Sequence, residues 1–251
     1  MTMQEPVGST DSISFTDRLM NVFADPSEAF ADINTSPNRA MLWLVPFLVF
    51  IVLSLLFTYL LFVNDTLKTQ IFDLQTQGLS EAVKEGRMTQ AQADEFRDRM
   101  EGTGLGIFML FGSLPAIFFT AAYFFGGALF LWLSGKLLWK STAPYMKYVE
   151  LYGIASWVGV LGYLVTMLMI YGFGTLFATP SAALTVLSDY NPMETSYRFL
   201  SAVNLFSIWQ ASVVGVGVSK LNGKPTGASI GLTLGLWIIW VAIGVPLGLI
   251  R

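Results

Sequence analysis

Met41–Val63, MLWLVPFLVFIVLSLLFTYLLFV, runs for 23 residues without a charge. At about 1.5 Å of rise per residue, a helix of this length crosses a hydrocarbon core of about 30 Å with a modest tilt. A buried helix of a soluble protein is shorter, or keeps a polar face. This stretch therefore places the chain in a bilayer, and the other segments are positioned relative to it.

The composition agrees. Hydrophobic residues make up 54% of the chain and charged residues 12%, against about 25% charged in ordinary soluble domains. There is neither Cys nor His. That excludes disulfides, Cys or His zinc sites, thiolate-bound haem and Ser-His-Asp catalysis. No cofactor, resident metal or nucleic-acid partner is expected. Residues 1–40 lack the basic and apolar regions of a signal peptide, so Met41–Val63 is expected to stay in the mature protein as its first span.

Upstream, residues 1–13 are polar and are expected to be disordered. Asp25-Pro26-Ser27-Glu28 is a helix start: Asp25 caps the amides of Ser27 and Glu28, and Pro26 suits the first helical position. Phe15, Leu19, Val22, Phe23, Phe30 and Ile33 form an apolar face beside Asp25, Glu28 and Asp32. Two placements suit that face, a helix lying in the membrane interface or packing on the protein's own loops. Ser36-Pro37 ends the segment.

Downstream, 64–104 is polar and mixes acids with bases. Leu67, Ile71 and Leu74 keep helical spacing, Gly78 and Gly86 punctuate it, and Thr89 with Gln92 forms a capping box. The reading is an extramembrane helical hairpin with a solvated charged surface, favoured over an ion site. Four more spans follow, at about 105–133, 151–173, 199–219 and 228–250. Asn191-Pro192-Met193-Glu194 repeats the design at Asp25, so Asn191 is expected to cap a helix running into span four. The fold class is thus all-α: five transmembrane helices, an N-terminal interfacial amphipathic helix and the hairpin. Bases near the short loops, Arg18, Arg39, Lys136, Lys140, Lys147, Lys220 and Lys224, share the side of the N-terminus, against Arg198 and Arg251. The N-terminus is therefore expected in the cytoplasm and the C-terminus on the opposite side.

No charge falls inside a span. Glu150 comes nearest and, with Tyr145, Tyr148 and Tyr152 about it, is expected at the interface. This argues against proton-coupled transport through a carboxylate and against an intramembrane aspartyl protease. Gly227, Gly231 and Gly235 recur every fourth residue in span five, and Ala211 and Gly215 do so in span four. Such faces let helices approach closely, within the chain by preference or else in a homo-oligomer. Asn204 and Gln210 are the amides set inside the membrane, expected to bond a neighbouring helix, with a ligand-binding role as the alternative.

Two stretches carry a family resemblance. The first is Val22 to Ile33 (VFADPSEAFADI), followed by Pro37 and a span with Pro46. The second is Asn204-Leu205-Phe206-Ser207-Ile208-Trp209, then Gly215 and Gly217, a basic turn from Lys220 to Lys224, and a Gly/Ala-rich last span. With their order and five spans, they resemble the bacterial branch of the Yip-domain (Ypt/Rab-interacting) membrane proteins. At Asn204 family members often carry an acid, so a role needing charge there does not transfer.

The resemblance implies a Yip-like five-span domain over 14–251 with a cytoplasmic N-terminus, in the bacterial inner membrane. Eukaryotic relatives are associated with Rab GTPases and early secretory traffic, a role that does not carry over to a cell without that pathway. The expected function is non-enzymatic, through contacts with lipids and a membrane-protein partner, in membrane organisation or as an accessory subunit. The alternative is a small-molecule transporter or lipid-moving protein, supported by Pro46, Pro115 and Pro246 within spans.

Overall fold

The structure is a computed structural model. It describes the backbone of residues 13–102 and 105–250, and their side chains except at 100–113, 115 and 116. The expected disorder of 1–13 falls outside the described residues apart from Ile13. Among those described, regular structure is helical throughout, with one isolated antiparallel bridge between Ser181 and Asn204.

The N-terminal segment forms α1 (Phe15–Ala24) and a single turn, α2 (Pro26–Ala29). Ser14 caps α1 by accepting from the Asp17 amide, and Asp25 caps α2 by accepting from Ser27 and Glu28 at 3.0 and 3.4 Å. The first span is α3 (Met41–Val63). It leads into α4 (Asp65–Lys84) and α5 (Gln90–Gly102), joined through Gly86 at a φ of +69°. Thr89 and Gln92 exchange hydrogen bonds across the first turn of α5. Next come α6 (Leu105–Trp139), which runs as one helix through Pro115, and α7 (Tyr145–Phe173). A 3-10 turn (Ala182–Asp189), α8 (Thr195–Ala202), α9 (Leu205–Asn222) and α10 (Thr226–Gly244) complete the chain.

Four described helices are long and apolar enough to cross a membrane: α3, α6 from Ile117 onward, α7 and α10. The expected span 199–219 is not among them, because it is two helices. After Ala202 the chain leaves helical geometry, pairs with the 180–182 strand-like segment (Ala182 N to Val203 O, 3.0 Å; Leu205 N to Pro180 O, 3.0 Å) and restarts at Leu205. Asn204 is the N-cap of that restart. Its side chain accepts from its own helix, at Phe206 and Ser207, rather than reaching a neighbour. Asn191 also departs from expectation. It closes an Asx turn onto the Met193 amide at 3.0 Å, and α8 begins only at Thr195, after Glu194. Pro246 lies beyond α10, which ends at Gly244; a proline has no N–H for the ladder and disfavours helix in the residue before it.

The axis of the bundle is α7. Half the residues along its most apolar stretch are buried, a larger share than in the spanning parts of α3, α6 or α10. Against α7 pack α3, α6, α9 and α1, and α10 packs on α9. Glycine sets the closest approach: a Cβ on Gly153 would lie 2.5 Å from the Cα of Trp43 and 2.6 Å from the carbonyl of Leu42. That carbonyl is the one Pro46, lacking an N–H, leaves without its helical partner. Close contact with α7 covers it, and α3 continues unbroken.

The N-terminal apolar face is committed to this bundle. Val22, Phe30 and Ile33 are buried in the main core. Phe15 meets Trp157 of α7 and Phe23 meets Trp209 of α9, edge to face at 6.3 and 6.0 Å. The face thus packs on helices of the bundle rather than on loops, with Met20 and Phe23 still exposed.

Candidate functional site

Two polar constellations lie within the apolar bundle. The first sits where the N-terminal segment meets α7. Arg18, on the same face of α1 as Phe15 and Val22, is buried and donates to the Ala29 carbonyl and to Asp32, each at 2.5 Å. Glu150 is 0% exposed. It accepts from the Lys147 ammonium at 2.9 Å and from the Arg39 amide at 2.5 Å, and the same ammonium donates to the Ser36 carbonyl at 2.8 Å. Glu150, expected at the interface, is thus enclosed by the protein's own groups near the start of α7. The 36–39 loop folds over the carboxylate and supplies the donors that water would otherwise provide. Each buried charge is paired and hydrogen-bonded, the arrangement that makes burial tolerable. The network ties α7 to the start of α3.

The second constellation is a cleft of about 300 Å³ between α3, α6, α7 and α9. Phe50 and Ser54 form its α3 side, Phe119, Thr120, Tyr123 and Phe124 its α6 side, and Tyr152, Ser156, Tyr163 and Gln210 the rest. Phe124 meets the Tyr152 ring edge-on at 5.4 Å, and Phe50 meets Tyr163 at 6.4 Å. Two glycines make room: a Cβ on Gly127 would press on Tyr152, and one on Gly159 would lie 2.6 Å from Gln210 Oε1. The back wall is buried, with Ser156 1% exposed, while Phe119 and Tyr123 at the α6 edge are 68% and 58% exposed. The cleft therefore opens sideways, at the depth of the spanning helices. Its lining carries hydroxyls and one carboxamide but no Asp, Glu, Lys or Arg. Among the described residues no group of three or more His, Cys, Asp or Glu is placed to hold a metal.

The glycine positions divide. Gly215 faces α10, with the Cα of Ile230 2.6 Å and Thr233 Oγ1 2.7 Å from where its Cβ would stand. Ala211, one turn earlier, is half-buried. Gly227, Gly231 and Gly235 face outward, with no atom within 4 Å of their Cβ positions. The expectation that they meet another helix of this chain is corrected: α10 presents Ser229, Thr233 and Val241 inward instead. Gln210 lies in the cleft, and among the described residues its carboxamide bonds to no neighbour. Sequence reasoning counted Arg18 only among the bases that set orientation and missed its burial. Its position three residues after Phe15 and four before Val22, on an apolar face, was the available signal.

These features define the class: an integral α-helical membrane protein whose buried charges are locked into structural pairs at one end of the bundle. The chain belongs to the Yip1-domain family, whose domain model matches residues 20–247. No curated protein and no solved structure matches it significantly.

Proposed function

We propose that this protein is non-enzymatic and acts by contact, organising a membrane-protein partner or lipid, or serving as an accessory subunit. The observation that carries this reading is the outward ladder Gly227, Gly231 and Gly235. In lipid, helix association is driven by close backbone packing, and small residues every fourth position permit it. A ladder left open by the protein's own helices is placed for a helix from another chain, either a partner or a second copy.

The same proposal includes five spans over 14–251, with α9 as the fourth. Its 18 residues reach about 27 Å, and it lies between α7 and α10, which are apolar enough to span. Termini on opposite sides then follow, with the N-terminus cytoplasmic by the distribution of bases, in a bacterial inner membrane. The 64–104 hairpin would project from the opposite face.

The alternative, small-molecule transport or lipid movement, draws on the lateral cleft. Against it, α3 and α6 run unbroken through Pro46 and Pro115, and Pro246 lies outside a helix, so the discontinuous helices that often frame a substrate path are not formed at these prolines.

The test is purification from native membrane in nanodiscs, with mass spectrometry of what remains bound, alongside disulfide trapping through Gly231→Cys. The contact reading expects a stoichiometric protein partner or a trapped dimer. Partnerless, untrapped monomers that accelerate lipid or solute flux in liposomes would reverse the order of the two readings.

A further inference from the structure

We propose that the lateral cleft is a binding site for a neutral, ring-bearing amphiphile dissolved in the bilayer. Its ring would carry carbonyl groups, the chemistry of an isoprenoid quinone, and its apolar tail would leave past Phe119 and Tyr123. The site is separate from the outward face of α10, so the contact reading and this one stand or fall apart.

Three features select the occupant. The first is Gln210. A carboxamide has two donors and an acceptor with two lone pairs, and here, within a helical bundle, none of them is used by a described residue. Gly159 keeps the space in which this side chain lies along α7. A hydrocarbon chain filling the cleft would leave that amide unmet, which is costly in an apolar medium; a ring carbonyl accepts from Nε2.

The second is the absence of formal charge. With no Asp, Glu, Lys or Arg in the lining, a charged headgroup drawn to this depth would find no counter-ion. A free phosphate or a phospholipid headgroup is therefore excluded, and a neutral ligand fits.

The third is shape. Phe50, Phe124, Tyr152 and Tyr163 wall the cavity with rings in edge-on contact, the geometry in which a further flat ring packs well. About 300 Å³ holds a substituted ring and the start of a tail, and the opening at Phe119 and Tyr123 gives the tail its exit into lipid.

The experiment uses the full chain in phospholipid nanodiscs, labelled with a short-tailed photoreactive benzoquinone and competed with decylubiquinone. Expected are saturable labelling, crosslinks mapping to α6, α7 or α9 at the cleft, and competition by decylubiquinone but not by dodecane or oleate. Gln210→Leu keeps the bulk and removes the hydrogen bonds, and should weaken labelling about tenfold. Gly159→Ala, which displaces the carboxamide, should weaken it as well, while Gly172→Ala, at an open position near the end of α7, leaves it unchanged. Thermal melting of each variant separates lost binding from lost fold. Labelling that does not saturate, crosslinks away from the cleft, equal competition by dodecane, or undiminished labelling of a folded Gln210→Leu protein each overturn the proposal.

Discussion

The ammonium of Lys147 lies 2.9 Å from Oε2 of Glu150, one turn further along α7, with side-chain exposures of 8% and 1%. The remaining carboxylate oxygen takes the Arg39 amide. A pair this buried contributes little net stability while intact, but removing one member strands the other. Glu150→Leu should therefore destabilise the protein by about 3–5 kcal/mol. Lys147→Met combined with Glu150→Leu should recover much of that loss. Melting followed by tryptophan fluorescence in nanodiscs checks both, and equal losses in the single and double variants would count against the pairing.

Gly153 and Gly231 should respond differently to one methyl group. At Gly153 the added carbon meets the backbone of α3, which cannot move aside as a flexible side chain would, so Gly153→Ala should cost about 1–3 kcal/mol. At Gly231 the position is open, and Gly231→Ala should leave the melting temperature unchanged. The same melting assay on the two variants, side by side, is decisive.

The cap at Asn204 holds the start of α9. Asn204→Ala should lower stability by about 1 kcal/mol, and Asn204→Asp should retain most of it, since an Asp oxygen accepts the same two amides. If Ala and Asp behave alike, capping is not what the residue supplies.

On the other side of the bundle, Gln70 of α4 grips the turn after α7. It donates to the Gly174 carbonyl at 2.8 Å and accepts from the Leu176 amide at 3.1 Å. Gln70→Leu should speed hydrogen exchange at the Leu176 amide about tenfold while leaving the middle of α7 protected. Unchanged exchange at Leu176 would remove Gln70 as the anchor.

Several of these elements were legible in the chain itself. The apolar run Met41–Val63 coincides with α3 at both ends, because transfer to lipid is judged residue by residue within one window. The caps at Asp25 and Thr89 were equally local, each formed with amides two or three residues away. At 199–219 the same local logic misled. Hydropathy averages over a break, and the break at Asn204 is held by pairing with Pro180 and Ala182, which lie outside any window centred on it.

What the sequence determined by itself was therefore the solvent and the local hydrogen bonds: a membrane protein, where its apolar helices run and how several of them begin. Tertiary structure alone decided which face of each helix is covered. A helix in lipid is apolar all round, so hydropathy does not distinguish the inward Ser229 and Thr233 of α10 from its outward Gly227, Gly231 and Gly235. Nor does it show that Glu150 will be covered by a loop more than 100 residues earlier, or that Gln210 will face a cleft assembled from four helices. Burial of a charge is decided by partners distant in the chain, and only folding brings those partners together.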